Sequence, residues 1–385
     1  MSSKTLRLRL PVAAAALGTA ALVAVAPAAA KTHKHHKPHG PKPVYVAPKG
    51  ATKKNDKSCK QAKYNSIQTA IEAAKLKATV VICKGTYQGG VNLDRRVNLV
   101  GKPGATIDAN GDAYGIAVSA SSTTIAGLTV KDANEANMID DGIVTVGFDS
   151  SGNPTGPANH VKVIGNVLTG NLNSGIDLNS TAHSVAFGNK SNGNGIGINV
   201  ADDLGVPATK NLIALNVTNQ NTGGCGIALA DHSGAGVTDN VVLKNVSNNN
   251  GLSTPTAPDA SAGSGVILAA PIPNGIVTGN LITQNKFSGN GHAGVVIHAH
   301  APGDDFSGTV ISKNLIGTNN VRQDENDTQT TGIYLGSLSP QTVTVTGNQI
   351  HDDYYGIFMS GPVQVTNKKN KFHNVTQKTG TFATF

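Results

Sequence analysis

A glycine followed by an apolar residue recurs along most of this 385-residue chain at nearly regular intervals. The series consists of Gly142-Ile143, Gly175-Ile176, Gly197-Ile198, Gly226-Ile227, Gly265-Val266, Gly294-Val295, Gly332-Ile333 and Gly356-Ile357. An interleaved asparagine series consists of Asn166, Asn189, Asn216, Asn240, Asn280, Asn314, Asn348 and Asn370. The basic period is about 22–24 residues, which is typical of solenoids whose repeats bury their apolar faces against their neighbours.

The pattern inside each repeat predicts strands and not helices. Residues 161–164 and 343–345 alternate in side-chain polarity with a period of two. Segments rich in Asn and Gly, such as residues 191–194, tolerate the left-handed backbone of a sharp corner. We expect the asparagines to stack and exchange amide hydrogen bonds, whereas the alternative places them in exposed turns. The chain is therefore predicted to be a β-solenoid of about 9–11 rungs, spaced about 4.8 Å apart.

The N-terminal residues differ in composition from the repeats. Residues 1–30 combine basic residues, an alanine-rich apolar run and a small-residue end, which predicts a secretory signal cleaved near Ala30. That run is too short and too weakly apolar for a membrane span, so none is expected. Residues 31–57 are rich in Lys, His and Pro and are predicted to be a disordered linker. We therefore expect a protein that is secreted, either extracellular or associated with the cell wall.

Positive charge lies mainly in these first segments. The chain has a formal net charge of +8, but residues 58–385 are nearly balanced between acidic and basic side chains. A nearly neutral repeat domain argues against a basic surface for nucleic acid. The segment 31–57 has a second interpretation besides a linker, because His-rich tracts bind transition metals and Lys-rich tracts bind anionic wall polymers.

Residues 58–90 are predicted to cap the first rung, because a solenoid otherwise exposes its apolar end. Within them, residues 65–74 have the pattern of a short amphipathic helix, with Asn65 and Gln68 at the spacing of a capping box. Cys59 and Cys83 flank this helix and are expected to form a disulfide in an oxidising compartment. The remaining cysteine, Cys225, begins a strand and is expected to be a buried apolar residue.

The opening of the repeat domain resembles a known family. The segments IQTAIEAA, VVICKGTY and VNLDRRVNLVGKPGATIDANG are similar to the N-terminal part of right-handed parallel β-helix proteins of the pectin-lyase-like superfamily. The Gly-Ile and Asn repeats resemble the repeat domain of the same proteins. The resemblance covers roughly residues 58–375 and implies an all-β, right-handed coil of three parallel sheets. It leaves the chemistry open, because members include lyases, glycoside hydrolases, esterases, epimerases and non-catalytic surface proteins.

One outward face of the predicted coil carries the candidate substrate contacts. Counted from each repeat glycine, the second and fourth following residues point outward. Long segments between strands flank this face on both sides and would wall a groove, where the resemblance also places an active cleft. The candidate substrate-binding residues are Asp177, Asn199, His298, His300, Tyr334 and Phe358.

Ionisable residues are concentrated at the trailing edge of the same face. In stacked rungs, Asp202 is expected to lie over Asp231, and Asp203 over His232. Neighbouring carboxylates raise one another's pKa and can then act as general acid and general base. Glycoside hydrolysis needs such a pair. These four residues are the candidate catalytic groups, and ordinary turn chemistry is the alternative for them.

The sequence leaves three functions open. The first is a carbohydrate-recognising β-helix protein that acts as a lyase or glycoside hydrolase on an acidic polysaccharide. The second is a non-catalytic wall or surface protein that binds polysaccharide, and the third is a metal-handling protein. The metal ligands are not specified, but the acidic segment after Arg322, with Asp324, Glu325 and Asp327, would suit Ca²⁺ as a cofactor. A monomer is expected.

Overall fold

The computed structural model describes residues 40–49, 56–135, 139–252, 263–323 and 328–385. The predicted signal and much of the predicted linker lie outside these residues. Within the part of the chain that is described, no helix is long and apolar enough to cross a membrane.

The described residues form a coil in which the chain passes through the same sheets once per turn. Adjacent strands in each long sheet come from successive turns and are parallel, as in Ser174–Asn179 beside Ile196–Ala201. The apolar side chains that point into the coil form one continuous buried core from Val46 to Ile357. The predicted fold class, an all-β parallel β-helix, is therefore confirmed.

The strands fall into long sheets that run along the coil. The 12-stranded sheet contains Val44–Val46, Thr79–Ile82, Asn98–Gly101, Thr124–Ala126, Lys162–Ile164, Val185–Phe187, Leu212–Ala214, Val241–Leu243, Leu281–Thr283, Val310–Ser312, Gln341–Thr346 and Val363–Lys368. The 11-stranded sheet contains Val91–Leu93, Tyr114–Val118, Asp141–Val144, Ser174–Asn179, Ile196–Ala201, Ile227–Ala230, Val266–Ala270, Val295–Ala299, Thr331–Ser337, Tyr355–Ser360 and Gln377–Phe382.

The third side of the coil carries two shorter parallel sheets, which single bridges at Val217 connect. The first contains Gly85–Gln88, Ala105–Asp108, Thr129–Lys131, Val167–Thr169 and Lys190–Ser191. The second contains Val246–Asn248, Lys286–Ser288, Leu315–Ile316, Gln349–His351 and Lys371–His373. Two small sheets lie in the connections, an antiparallel hairpin of Val146–Phe148 with Pro154–Pro157 and a parallel pair of Ala208–Thr209 with Val237–Thr238.

The repeat glycines lie in a column at the start of strands in the 11-stranded sheet. The apolar residue after each glycine pairs with its counterpart in the next turn, as Ile176 does with Ile198. A Cβ atom on Gly175 would collide with the Ser191 hydroxyl and lie 3.0 Å from the Gly197 carbonyl oxygen. Glycine recurs here because the corner leaves no room for a side chain, not because the backbone is left-handed.

The asparagines form buried ladders, so the prediction of stacked corners is confirmed. In each step, the side-chain amide of one asparagine donates to the Oδ1 atom of the next, as in Asn216 to Asn245 at 3.0 Å. The members of this ladder are Asn166, Asn189, Asn216, Asn245, Asn285, Asn314, Asn348 and Asn370.

The predicted series was wrong at two positions, because Asn240 and Asn280 belong to a different corner. At that corner, the side-chain amide of Asn240 donates to Asn280 Oδ1 at 3.2 Å. Asn211 occupies the same corner one turn earlier, and its backbone N–H donates to Asn240 Oδ1. Three asparagine ladders run along the coil, and their members lie only a few residues apart within a turn, as Asn240, Asn245 and Asn250 do, so spacing alone could not separate them.

The N-terminal cap consists of a 3-10 turn, Cys59–Gln61, and the helix Ile67–Ala73. The helix begins one residue later than the predicted capping box, with Ser66 as its N-cap, whose hydroxyl accepts from the Thr69 N–H at 3.4 Å. The Gln68 side chain instead accepts from the Asn92 N–H of the first rung at 3.0 Å. This bond attaches the helix to the coil.

The coil begins earlier than the predicted boundary at residue 58. Val44–Val46 lies within the stretch predicted as linker and pairs in parallel with Thr79–Ile82. Val46 is buried in the core, which gives these residues the apolar contacts that a linker lacks.

Cys59 and Cys83 form the predicted disulfide, with a Cα–Cα distance of 5.6 Å. A disulfide is compatible with an oxidising, extracellular destination. Cys225 is buried, as expected, and burial raises the pKa of its thiol.

Replacing both Cys59 and Cys83 by alanine is expected to lower the free energy of unfolding by about 3 kcal/mol. The disulfide closes a loop with a sequence separation of 24, and its loss frees the unfolded chain. Urea denaturation followed by circular dichroism measures the change. The unaltered protein under reducing conditions is the control and should lose a similar amount. An unchanged midpoint in both samples would contradict the prediction.

Candidate functional site

The outward residues of the 11-stranded sheet form two columns, as predicted. The first column is Asn92, Ala117, Val144, Asp177, Asn199, Ala228, Ile267, Val296, Tyr334 and Phe358. The second column is Asn179, Ala201, Ala230, Ala269, His298, Gly336 and Ser360. The face is polar around Asp177 and apolar from Ala228 onward, so its two halves present different surfaces.

The apolar half is covered by the protein's own side chains. Tyr334 and Phe358 stack at 5.9 Å and are 1% and 6% exposed. The ring of Phe385 lies 4.9 Å from that of His298, and a Cβ on Gly336 would collide with Phe385. The C-terminal aromatic ring therefore packs on this half, and a substrate role for Tyr334 and Phe358 remains a prediction.

His298 and His300 contact each other through their rings at the same end. Burial, together with His300 and His292, lowers the pKa of His298 to about 2, so this imidazole is neutral at physiological pH. Within the described ranges, no group of three or more His, Cys, Asp or Glu side chains is placed to hold a metal ion. The His-rich segment up to residue 39 and Asp324, Glu325 and Asp327 lie outside those ranges.

The Asp202 carboxylate holds the turn that follows the next rung. Its Oδ1 atom accepts the His232 N–H at 2.7 Å, and its Oδ2 atom accepts the N–H groups of Ala235 and Gly236, each at 2.9 Å. The Ser233 hydroxyl also donates to Oδ2 at 2.7 Å. Burial opposes ionisation, but a side-chain hydrogen bond with Asp231, followed by those from Ser233, Gly236 and His232, outweighs it and lowers the pKa of Asp202 to about 2.

The Asp231 carboxylate is a second anchor of the same turn. It accepts the Gly234 N–H at 2.6 Å and the Ile276 N–H of the next rung. Burial and the neighbouring Asp202 raise the pKa of Asp231. Asp202 and Asp231 thus lie next to each other as expected, but their oxygens are occupied by the backbone of the turn.

Asp203 and His232 meet at the edge of the polar half, as the stacking predicted. Asp203 Oδ1 lies 2.6 Å from His232 Nδ1. Both side chains are partly exposed, at 40% and 45%. The hydrogen bond to Asp203 raises the pKa of His232, despite partial burial, which favours the imidazolium.

Asp177 lies beside this pair and is held by two amides. Its Oδ1 and Oδ2 atoms accept from Asn199 Nδ2 and Asn179 Nδ2, each at 3.1 Å. Burial, followed by the nearby Asp203 carboxylate, raises the pKa of Asp177 to about 7. Asn179 Nδ2 also donates to Asp203 Oδ2, so one amide joins the two carboxylates within two hydrogen-bond lengths.

Asp141 is a site residue that the sequence interpretation missed. It is 2% exposed, and it accepts the Ser174 N–H at 2.7 Å. Burial, and then the Asp177 carboxylate, raise the pKa of Asp141 well above its usual range. The signal that could have identified Asp141 is its place directly before the repeat glycine Gly142.

The carboxyl groups of Asp141, Asp177 and Asp203 line a cavity of about 150 Å³ on the polar half of the face. Its lining residues are Ile139, Asp141, Val144, Val146, Phe148, Pro154, Asn173, Asp177, Asn179, Asp203 and Leu204. A second cavity of about 490 Å³ continues from it past Ile139 and Phe148. The second cavity is lined by Ala113, Tyr114, Glu135, Ile139, Phe148, Asp149, Ser150, Ser151 and Gly152. We refer to both cavities together as the cleft.

The hairpin of Val146–Phe148 and Pro154–Pro157 forms one wall of the cleft, within a segment predicted to be a wall. The Phe148 ring stacks on Tyr114 at 5.4 Å, and the Tyr114 hydroxyl donates to Asn92 at 3.0 Å. A partly buried aromatic wall beside carboxyl groups provides both an apolar surface and hydrogen-bonding groups, as in many small-molecule sites.

The cleft presents two carboxyl groups in different environments, which suits proton transfer to and from a bound molecule. Asp177 is protonated over much of the range below pH 7, whereas Asp203 is paired with a basic imidazole. Two carboxyl groups with divergent environments are the arrangement used for general acid and base catalysis.

No protein-family model matches the chain, and no curated protein matches it. Several solved structures are similar. The A-module of mannuronan C-5 epimerase AlgE4 from Azotobacter vinelandii is 18% identical, with a TM-score of 0.53, over 83% of this chain and 95% of that chain. Pectate lyase Pel9A is 14% identical, with a TM-score of 0.54, over 86% and 79%. PfbA, a surface adhesin of Streptococcus pneumoniae, is 14% identical, with a TM-score of 0.55, over 81% and 86%. These similarities support the pectin-lyase-like β-helix fold.

Proposed function

We propose that the protein acts on polysaccharides and cleaves glycosidic bonds in the cleft, as a glycoside hydrolase. The observation that carries the proposal is the pair Asp177 and Asp203, which share the Asn179 amide within a cavity. Because both carboxyl groups bind the same amide nitrogen, they are close enough to act as a pair on one bond, as glycoside hydrolysis requires.

In this proposal, Asp177 is the general acid. A carboxyl group with a pKa of about 7 keeps its proton at mildly acidic pH and can donate it to a leaving oxygen. Asp203 is the base or nucleophile, and His232 holds its Oδ1 atom at 2.6 Å. Asp202 and Asp231 are positioning residues, because they hold the turn that presents His232.

The solved structures support a carbohydrate substrate without specifying it. An epimerase acting on mannuronan, a pectate lyase and a surface adhesin share the fold at low identity. The disulfide supports a location outside the cell, where polysaccharides are met.

A second candidate function is polysaccharide binding without turnover. The burial of Asp177, at 4% exposure, favours it, since a reacting carboxyl group must reach the substrate. The similarity to an adhesin is in line with this candidate. Binding without release of sugar ends would support it over the hydrolase.

Incubation with a panel of polysaccharides is expected to release reducing ends, with a rate that falls as the pH rises through about 7. The physical reason is that Asp177 must be protonated to act as the acid. Reducing-sugar assays measure cleavage by either reaction, and ultraviolet absorbance of unsaturated ends identifies the share that a lyase reaction contributes.

The matched control is Glu72→Gln, which alters an exposed carboxylate on the capping helix, away from the cleft. This variant should keep the rate and the pH profile of the unaltered protein. One unsaturated end for every reducing end released would contradict the hydrolase, and binding alone would favour the second candidate.

A further inference from the structure

The charged side chains that line the cleft are carboxylates. Asp141, Asp177 and Asp203 line the smaller cavity, and Glu135 and Asp149 line the larger one. Among the described residues lining the two cavities, none is Lys or Arg. The potential in the cleft is therefore negative whenever these groups are ionised.

His232, a basic group that interacts with Asp177 in the cleft, is already paired. His232 Nδ1 lies 2.6 Å from Asp203, so a proton on this imidazole compensates that carboxylate. An incoming anion would have to compete with Asp203 for the same imidazole. The charge of this partly exposed imidazolium is therefore already balanced by Asp203.

The raised pKa values of Asp141 and Asp177 show that the cleft disfavours additional negative charge. Burial raises the pKa of both groups, and a neighbouring carboxylate raises it further, Asp177 acting on Asp141 and Asp203 acting on Asp177. A carboxylate on a bound sugar would add a like charge at the same place, which is the physical basis for rejecting a ligand.

The polar groups of the cleft suit hydroxyl and ring oxygens instead. Asn179 and Asn199 are fixed by their bonds to Asp177 and set the orientation of its oxygens. A protonated Asp177 donates a hydrogen bond, and Asp203 accepts one from a hydroxyl. The stacked rings of Tyr114 and Phe148 provide an apolar wall for the carbon face of a sugar.

We propose that the cleft takes an uncharged glycan and rejects the polyuronate that the sequence predicted as substrate. This inference rests on the proposed function, because it assigns the substrate class of the same cleft. The sequence predicts an acidic polymer as the substrate, whereas the side chains that line the cavities favour an uncharged one.

Matched polymers that differ only in charge provide the test. Oligouronides of defined linkage and the same oligosaccharides after carboxyl reduction are compared by isothermal titration calorimetry, along with a panel of neutral glucans, galactans and mannans. At least one uncharged ligand is expected to bind at least tenfold more tightly than any oligouronide at pH 8, with a smaller ratio at pH 5.

The variant Asp203→Asn tests the cause of the selectivity. It removes the partner of His232 and one negative charge, so the preference for the uncharged ligand over its uronide counterpart should narrow several-fold. The control Glu72→Gln should leave the ratio unchanged.

The outcomes separate this inference from the proposed function. Equal or tighter binding of an oligouronide, or its turnover with or without added Ca²⁺, would overturn the uncharged-substrate inference while leaving action on polysaccharides intact. A preference for a cationic amino-sugar polymer would also overturn it. Failure of every polymer to bind would remove the proposed function and the inference with it.

Discussion

Replacing Asp177 by asparagine is expected to lower the rate of glycan cleavage by about 10²–10⁴-fold, the usual contribution of a general acid. Asparagine keeps the size of the side chain but cannot transfer the proton. The fold should persist, because the new side-chain oxygen still accepts from one of the two amides, and rotation of the other amide brings its oxygen to the new NH2 group. Steady-state kinetics on the substrate found in the panel measures the loss.

The same variant is expected to be more stable than the unaltered protein above pH 7. The folded pKa of Asp177, about 7, lies above its ordinary value of 3.8. Between these values the folded protein binds more protons than the unfolded chain, so stability falls as the pH rises through this window. Asparagine does not ionise, so the variant keeps the stability that the unaltered protein loses as the pH rises. Near pH 4 both folded proteins carry a neutral group at this position, so this difference disappears.

Thermal unfolding at pH 5 and pH 8 measures this second effect. The difference in melting temperature between Asp177→Asn and the unaltered protein should be larger at pH 8. The Glu72→Gln protein should show no such difference. Loss of activity together with reduced stability at both pH values would indicate a structural role for Asp177 and count against its role as the acid.

Replacing Asn285 by alanine is expected to lower the free energy of unfolding by about 3–5 kcal/mol. Its Oδ1 atom accepts from the N–H and the side chain of Asn245, at 2.8 and 3.0 Å. Its Nδ2 atom donates to the Val242 carbonyl oxygen at 2.9 Å and to Asn314 at 3.0 Å. Alanine leaves these buried groups without partners, and each such group costs about 1–3 kcal/mol.

Chemical denaturation and hydrogen exchange measure the effect of Asn285→Ala. Protection should fall most at the Asn245 amide, which loses its acceptor. The control is Asn110→Ala, an exposed corner residue, which should cost less than about 1 kcal/mol. A loss of similar size at both positions would contradict the importance of the buried ladder.

Several parts of the fold could be predicted because they depend on repetition. The inward position of Ile176 and Ile198 follows from the glycine before each of them, and the alternation along a strand then places Asp177 and Asn199 outward. The contact of Asp203 with His232 followed from the same register. Cys59 and Cys83 could be paired because they flank the capping helix.

Other parts could not be predicted from spacing. Asn240 and Asn245 are equally plausible members of one ladder in the sequence, and only the side-chain bonds to Asn280 and from Asn216 show which corner each occupies. Asp202 and Asp203 are adjacent, but Asp202 bonds the turn after the next rung and Asp203 faces the cleft. The role of Asp141 was hidden because its neighbours in the cleft come from later turns.

The repeats by themselves determined a parallel coil, because a unit of this length can bury its apolar face only against a copy of itself. They also determined which residues of each strand face outward. The tertiary structure decided where the outward face is open and where it is filled. The face is walled by the hairpin that begins with Val146–Phe148 and is filled by Phe385. Neither feature has a counterpart in the other described turns of the repeat. The properties of the cleft arise where side chains from several turns meet, since burial and neighbouring charge set the protonation of each carboxyl group.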